Sequence, residues 1–268
     1  MQIKKKTANF LYQCIAQQYI DLIENVEQYL AQSTTSLVES RNKVKIVNYQ
    51  GQQFVIKSFR KPDLFMRMVY TYCRPSKARR SFLYAKHLLK CQFSTPTPIA
   101  YREDFKAHLL TKSYYISKYL AHDQLMFDCF QQCDQNLAAN LELLKQFAAF
   151  TFKLHQQHIY HNDYTSRNIL VKQDKQHYSF TLVDLNRLRF CKRTILGKAK
   201  NISSVWNNFT VLDIITTEYA RLAKINPQRL CKLVHFWKKI GFFKGALKHY
   251  RNQFFAIIRN KIKKANFL

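Results

Sequence analysis

Glycine and proline are scarce in this sequence, with four glycines and five prolines among 268 residues. Because flexible linkers and low-complexity segments depend on such residues, no segment of that kind is expected. No internal repeat is found. Hydrophobic residues make up 47% of the chain and aromatic residues 15%, which excludes a largely disordered protein. The sequence therefore predicts a globular protein with one or two sizeable cores.

Acidic residues are also few: 16 Asp and Glu stand against 44 Lys and Arg, for a formal net charge of +28. The imbalance is uneven, since no acidic residue follows Glu218 while basic residues continue to Lys264. Such a charge costs self-repulsion and indicates a polyanionic partner. A nucleic acid, an anionic membrane and a phosphorylated substrate all satisfy that requirement, and composition alone does not choose among them.

Paired cysteines are missing from the pattern. The seven cysteines are odd in number and form no CxxC motif, so neither a zinc site nor a disulfide framework is expected. Cys129 and Cys133 could share one face of a helix, but no cluster of His or Cys accompanies them. Reduced thiols in a cytosolic setting fit this usage better.

Long apolar runs are absent as well, since nowhere do eighteen apolar residues follow one another. The basic start, residues 1–6, could pass for the beginning of a signal peptide. Polar residues interrupt the following stretch, 7–20, so neither a signal sequence nor a transmembrane span is expected. If the protein works at a membrane, we expect it to lie on the surface.

The first half of the chain shows patterns of helix, hairpin, helix and strands. Gln50-Gly51-Gln52 separates two β-rich stretches, and Gly51 can adopt the positive φ of a hairpin turn. The order resembles the small N-lobe of a kinase. The segments are a helical one at 8–31, β-rich ones at 44–49 and 54–59, a helical one at 76–90, and short strands near 107–110 and 114–117.

The second half is mainly helical, with a pair of strands near its start. A helical pattern leads directly into the segment that begins at His158. The predicted elements are a helix at roughly 136–157, strands at 169–171 and 180–183, and helices from Trp206 onward with an interruption at Asn226-Pro227.

One set of polar residues carries the chemistry. Asp163 and Asn168 lie five residues apart in a single loop, and Asp184 ends the next apolar strand. Phosphoryl transfer requires a carboxylate to orient and deprotonate the attacking hydroxyl, together with hard oxygen ligands for magnesium. Asp163 suits the first role, and Asn168 and Asp184 suit the second.

The pattern gains specificity from its surroundings. An isolated HxDxxxxN occurs by chance, but here a helix precedes it and an apolar strand ending in Asp follows at the expected distance. The alternative is that Asp163 and Asn168 cap a loop and Asp184 starts a turn. Lys57 supports the kinase interpretation, because it lies within an apolar strand where a kinase holds the α- and β-phosphates. Alone, Lys57 would be an outward-facing residue of an amphipathic strand.

Several segments together resemble the Kdo/WaaP-type lipopolysaccharide kinases over roughly residues 38–190. They are Arg41-Asn42, residues 55–59, residues 76–82, residues 95–100 and the set Asp163, Asn168 and Asp184. The resemblance implies an α+β, two-lobed protein-kinase-like fold. We expect a β-rich N-lobe preceded by a helix in residues 1–119, and a larger, mainly helical C-lobe in residues 120–268.

The resemblance also implies an activity, which is ATP-dependent phosphorylation of a Kdo or heptose hydroxyl in the inner core of lipopolysaccharide. Asp163 would be the base, Asn168 and Asp184 the Mg²⁺ ligands, and Lys57 the phosphate lysine. We expect His161 to orient the catalytic loop, and a direct role in proton transfer stays open. The partners would be the lipid A–core acceptor and the anionic inner face of the bacterial inner membrane, where the protein would be peripheral.

The chain departs from the kinase pattern at three places. No glycine-rich loop precedes Lys57, and we expect Arg41 and Asn42 to cover the phosphates of ATP instead. No acidic residue lies between Asp63 and Glu103, so the helix glutamate that usually pairs with the lysine is missing. Asp184 is followed by Leu-Asn-Arg rather than Phe-Gly, which argues against regulation by an activation loop.

Two alternatives follow from these departures. The protein could be a kinase-like enzyme with a small-molecule or protein acceptor, or a non-catalytic kinase-fold binding protein. In the basic C-terminal stretch, apolar residues at helical spacing are more typical of a core, the alternative being a surface that docks on anionic lipid. Aromatic and basic residues that alternate also suit single-stranded nucleic acid, but no recognised motif supports that partner.

Overall fold

A computed structural model describes residues 3–7, 9–39 and 42–265, with no side chain described beyond residue 253. The chain forms two compact units. The first comprises Met1–Leu125, Asn168–Gln173 and Ser179–Leu188, and the second comprises Met126–Arg167, Asp174–Tyr178 and Arg189–Leu268. A division into domains after residue 119 stays a prediction.

The first unit is built on a seven-stranded antiparallel sheet. Its strands are β1 (Ile3–Lys6), β2 (Phe10–Cys14), β3 (Ser36–Glu39), β4 (Asn42–Tyr49), β5 (Gln52–Phe59), β6 (Pro98–Lys106) and β7 (Leu109–Lys118). Across the sheet they follow the order β1-β2-β6-β7-β5-β4-β3. The helices are α1 (Ile20–Glu24), α2 (Val26–Gln32), α3 (Leu64–Met68) and α4 (Lys77–Lys90), and a π-helical turn spans Val69–Cys73.

The hairpin predicted around Gly51 is confirmed. Gln50 and Gly51 have φ values of 49° and 72°, the pair of positive φ angles that a two-residue hairpin turn requires. A second such turn joins β6 to β7 at Ala107 and His108, with φ values of 49° and 60°. The predicted strand near 107–110 was therefore wrong at its first two residues, which form this turn, whereas Leu109 and Leu110 begin β7; the strand predicted near 114–117 is confirmed as part of β7.

The N-terminal prediction was also wrong in part, since Phe10–Cys14 forms a strand rather than a helix. Tyr12 and Cys14 are buried on one face with the period of two that strands show, and β2 pairs with β6. The pairing supplies the backbone hydrogen bonds for which an amphipathic helix would otherwise compete. Helical structure begins with a 3-10 turn at Gln17–Tyr19 and continues through α1 and α2.

Different helices cover the two faces of the sheet. Phe54 and Ile56 of β5 belong to the core formed with α1 and α2, whereas Phe59 packs with Phe82 of α4. Because strand side chains alternate between faces, Lys57 lies on the α4-facing side with Phe59. The helix predicted at 76–90 is confirmed as α4.

Three short strands complete the first unit. They are β8 (Gln124–Leu125), β10 (Ile169–Asp174) and β11 (His177–Leu182), paired in the order β11-β10-β8. The strands predicted at 169–171 and 180–183 are confirmed as β10 and β11. The tip of their hairpin, 174–178, belongs to the second unit.

The second unit is mainly helical. Its elements are α5 (Met126–Gln135), α6 (Leu141–Gln156), β9 (Ile159–His161), β12 (Leu188–Phe190, which begins at the boundary of the unit), α7 (Ile195–Ser203), α8 (Phe209–Ala223) and α9 (Pro227–Ala265). The long helix predicted at 136–157 is observed as α6 after a 3-10 turn, and the interruption at Asn226-Pro227 separates α8 from α9 as predicted. The sequence patterns did not reveal α5 or α7.

The C-terminal helix is only partly packed. Leu230 and Val234 are fully buried, but every residue from Gly241 to Gln253 is exposed. The prediction that the C-terminal apolar residues form a core was therefore wrong for residues 241–253, and those from Phe254 onward lie outside the described side chains. Among the described residues, no helix combines the length and apolarity needed to cross a membrane.

Candidate active site

Lys57 and Asp184 meet within the first unit. The ammonium group of Lys57 donates a hydrogen bond to the Asp184 carboxylate, and their side chains are 15% and 28% exposed. One residue lies on β5 and the other follows β11, so the contact joins positions 127 residues apart in sequence. The structure thus brings together the predicted phosphate lysine and a predicted magnesium ligand.

Asp184 adopts the left-handed conformation, with φ 55° and ψ 48°. Asp and Asn are among the few non-glycine residues that tolerate this region, because their short polar side chains bond locally. Here the Asp184 Oδ1 atom also accepts a hydrogen bond from Asn186 Nδ2 at 2.6 Å. This geometry turns the chain into a 3-10 turn, Leu185–Arg187, and fixes the direction of the carboxylate.

Asn168 is held beside the same segment. Its carbonyl oxygen accepts a hydrogen bond from the Val183 N–H at 3.0 Å, one residue before Asp184. No group of three or more His, Cys, Asp or Glu residues suited to a metal occurs among the described residues. One carboxylate and one amide oxygen nevertheless fit Mg²⁺, which usually takes one or two protein ligands and completes its shell with phosphates and water.

Arg80 is the residue of α4 that bonds to the turn after Asp184. Its side chain is buried, with Nε donating to the Asn186 carbonyl at 3.1 Å and Nη1 donating to the Pro75 carbonyl at 2.8 Å. Burial lowers the pKa of the Arg80 guanidinium from its usual value. Helix α4 is therefore tied to the turn after Asp184 by a cation and a carbonyl, while Lys57 pairs with Asp184 directly.

Glu103 of β6 is buried, and its charged carboxylate is favoured by the polar groups of Ser76, the N-cap of α4. Burial raises the pKa of Glu103 above its usual value. No spacing in the sequence connects Arg80 or Glu103 with the predicted site, because both act through residues that are distant along the chain.

The two residues expected to cover the phosphates receive unequal support. Arg41 lies outside the described residues. Asn42 begins β4, and its Oδ1 atom accepts a hydrogen bond from the Arg60 N–H at 3.4 Å. A role in nucleotide binding stays a prediction for both residues.

His161 and Asp163 belong to the second unit. His161 is buried, and its Nδ1 atom accepts a hydrogen bond from the backbone N–H of Asp163 at 3.1 Å. The carbonyl of Asp163 accepts from the Thr165 N–H at 2.8 Å. The backbone of Asp163 is thus held on both sides, which is the kind of contact expected of an orienting histidine. The roles of both side chains in catalysis stay predictions.

A series of hydrogen bonds connects this loop to three helices. Asn201 of α7 donates through Nδ2 to the His161 carbonyl at 2.8 Å, and its Oδ1 atom lies 3.0 Å from His155 Nε2. On the other side of the ring, His155 Nδ1 lies 3.0 Å from the hydroxyl of Tyr219. The pattern is satisfied by a neutral His155 with its proton on Nε2, accepting at Nδ1 from Tyr219. Helices α6, α7 and α8 therefore converge on the carbonyl of His161.

Burial lowers the pKa of His155 to about 4 from the usual 6.5. Below pH 6.5 the unfolded chain takes up a proton at His155 that the folded protein does not. We therefore expect the free energy of unfolding to decrease as the pH is lowered. Between pH 7.5 and pH 5 the loss from this residue should be about 2 kcal/mol, and it should be nearly complete below pH 4. Urea unfolding at several pH values measures it.

The matched control for this effect is His177→Gln, because His177 is an exposed residue of β11. His155→Gln should flatten the dependence of stability on pH between 6.5 and 4, whereas His177→Gln should leave it unchanged. An equally steep dependence in His155→Gln and in the parent would contradict the assignment.

Comparison with known proteins adds to this geometry. A family model described as the lipopolysaccharide kinase (Kdo/WaaP) family matches residues 32–225. The fold is similar to a solved structure of WaaP in complex with acyl carrier protein, with a TM-score of 0.56 and 15% sequence identity, over 80% of this chain and 89% of that one. No match was found among curated protein sequences. The predicted α+β, protein-kinase-like fold is confirmed.

Proposed function

Since the chain belongs to the lipopolysaccharide kinase (Kdo/WaaP) family, we propose that it transfers the γ-phosphoryl group of ATP to a Kdo or heptose hydroxyl of the lipopolysaccharide inner core. The observation that carries the proposal is the Lys57–Asp184 contact beside the backbone of Asn168. An outward-facing lysine and a solvated turn residue would not be held together in this way. Because the chain belongs to a family of kinases, the most direct use of Lys57 and Asp184 is to bind phosphate groups.

Lys57 prepares the nucleotide site in this proposal. Its ammonium group neutralises the Asp184 carboxylate, and both side chains are largely shielded from solvent. On binding, the same ammonium group would hold the α- and β-phosphates, as the corresponding lysine does in kinases. Asn168 and Asp184 would hold Mg²⁺, which supplies neutralisation of the charge on the phosphates.

Asp163 acts on the acceptor. Its carboxylate would accept the hydrogen bond of the sugar hydroxyl, orient the oxygen toward the γ-phosphorus and take up its proton. Its backbone is fixed independently of that carboxylate by His161 and Thr165. The loop conformation is therefore supported by backbone contacts as well as by side chains.

The net charge of +28 suits the proposed acceptor. Lipid A–Kdo carries phosphates and carboxylates and lies in an anionic leaflet, and each basic side chain near such a surface contributes about 1 kcal/mol of attraction. We place the protein at the cytoplasmic face of the inner membrane as a peripheral enzyme. Because the similar structure is of WaaP with acyl carrier protein, that carrier is a second partner to test.

The test is transfer of labelled γ-phosphate from Mg-ATP to purified lipid A–core, followed by mass spectrometry of the saccharide. One added phosphate on a Kdo or heptose is expected. Labelling of an aminoglycoside or a protein, with the lipid A–core unlabelled, would favour a kinase with another acceptor and contradict the proposal.

A non-catalytic binding protein is the second candidate, and the absence of any acidic residue from α4 favours it. In that case no acceptor would be labelled. Thermal unfolding with Mg-ATP then distinguishes a protein that does not bind nucleotide from a kinase whose acceptor was not among those tested. A ligand that binds the folded state raises the melting temperature, so only the kinase should show a rise. Neither labelling nor a shift is the result expected of a non-nucleotide module.

A further inference from the structure

Helix α9 continues well past the body of the second unit. It contains 39 residues, which corresponds to a length of about 58 Å at 1.5 Å per residue. Its first turns pack against α7 and α8, with Leu230 and Val234 buried. Its described side chains from Gly241 to Gln253 are all exposed, and a Cβ atom added at Gly241 or Gly245 would meet nothing within 4 Å.

Helix α9 carries an ordered row of apolar residues, mostly in this exposed segment, which we call the apolar stripe. It consists of Phe236, Ile240, Phe243, Leu247 and Tyr250, at alternating spacings of four and three residues. At 100° per residue these positions lie along one side of the helix, within an arc of about 80°. Phe243, Leu247 and Tyr250 are 67%, 53% and 68% exposed. Large apolar side chains arranged in this way indicate an interaction surface.

Basic residues flank the apolar stripe. Lys239 lies on one side of it, and Lys244 and Arg251 lie on the other, each about 60–80° around the helix axis. All three are exposed. Throughout α9 the sequence contains no Asp or Glu. The helix therefore combines an apolar side with cations at both margins, where long side chains can reach a charged surface while their methylene groups stay against the apolar layer.

The charges select the occupant of this surface. A spacing of four and three residues also suits a coiled coil with a second copy of the chain. In such a pair, however, the flanking positions of both helices would present Lys and Arg with no acidic partner on either α9, and like charges would repel. An anionic lipid surface offers an apolar layer to the apolar stripe and negative charges to the basic residues that flank it.

We propose that the apolar stripe of α9 docks in the plane of an anionic phospholipid membrane. The inference rests on the proposed function for its location, because an enzyme acting on lipid A–core works at such a surface. The inference adds that helix α9 is the element that contacts the membrane. The helix lies in the interface without crossing it, with Phe243, Leu247 and Tyr250 inserted among the headgroups and the flanking cations on the lipid phosphates.

The experiment is cosedimentation of the full chain with vesicles of phosphatidylcholine alone or with added phosphatidylglycerol. The parent should bind the anionic vesicles and bind neutral ones more weakly. A triple variant, Phe243→Ser, Leu247→Ser and Tyr250→Ser, should lower the partition coefficient by about tenfold or more. Lys244→Gln with Arg251→Gln should lower binding to anionic vesicles about tenfold and remove much of its salt dependence.

The matched control replaces His249 and Asn252, which lie on the opposite side of α9, by serine. These residues are exposed, as are those of the triple variant, so an unchanged melting temperature is expected for every variant. Binding by the control should equal that of the parent. If the triple variant binds anionic vesicles as tightly as the parent, the inference is wrong. It is also wrong if the lipid-free parent sediments as a dimer and the triple variant as a monomer.

Failure of this inference can be separated from failure of the proposed function. Phosphorylation of a deacylated, water-soluble core saccharide does not require a membrane. A parent that phosphorylates this saccharide but does not bind vesicles keeps the proposed function and overturns the docking surface. A parent that binds vesicles through the apolar stripe but phosphorylates no core saccharide keeps the docking surface and overturns the proposed function.

Discussion

Replacement of Asp163 by asparagine is expected to lower the turnover of phosphoryl transfer by at least about a hundredfold, the scale usual for a positioned acid–base group. Asparagine keeps the shape of the side chain but cannot take up the proton of the attacking hydroxyl. The surrounding loop should persist, because Asp163 is bonded to His161 and Thr165 through its backbone. Nucleotide affinity should therefore change little. Steady-state kinetics with lipid A–core, together with a Mg-ATP titration, measures both quantities.

The control for this substitution is Asp174→Asn. Asp174 ends β10 near the same region of sequence and is exposed. Its replacement should leave turnover at the parental value. Turnover within a few-fold of the parent in Asp163→Asn would show that another group accepts the proton, and the assignment of the base would be withdrawn.

Replacement of Asp184 by asparagine is expected to affect the nucleotide itself. It removes the carboxylate that would hold Mg²⁺ and the anionic partner of Lys57. Asparagine tolerates the left-handed conformation of this residue, so the backbone should be retained. We expect turnover to fall at least about a hundredfold and the stabilisation by Mg-ATP to be lost.

Thermal unfolding measures this second loss. At a nucleotide concentration of about 100 times Kd, Mg-ATP should raise the melting temperature of the parent by about 5 °C or more. The Asp184→Asn variant should show little of that rise, while Asp174→Asn should show all of it. A parental response to magnesium in Asp184→Asn would place the metal ligand elsewhere.

The sequence predicted those parts of the structure that depend on short-range patterns. Gly51 marks a turn because few residues adopt a positive φ at low cost, and Ser76 precedes the apolar spacing of α4 as an N-cap does. Asp163, Asn168 and Asp184 could be recognised because one loop and one strand carry them. A backbone hydrogen bond from Val183 to Asn168 joins the segments that carry Asn168 and Asp184. The catalytic role of each of the three residues stays a prediction.

Long-range contacts explain what the sequence did not reveal. Phe10, Tyr12 and Cys14 fit a strand, but the neighbouring apolar residues fit a helix, and only the pairing of β2 with β6 decides between them. Asn201 and His155 lie 46 residues apart, and no spacing rule connects them. A core helix and an interfacial helix can have the same apolar pattern. Which parts of α9 are exposed therefore depends on how far along α9 the helices α7 and α8 pack against it.

The contact of Arg80 with the Asn186 carbonyl bears on how the protein could be inhibited. A compound that inactivates a kinase by displacing its helix exploits a lysine–glutamate ion pair that breaks when the helix moves. Here α4 carries no carboxylate, and Lys57 keeps its partner on the segment after β11. Displacement of α4 would instead have to expose a buried guanidinium and two carbonyl groups. Under the proposed function, compounds that compete for Lys57 are therefore a better starting point for an inhibitor than compounds that displace α4.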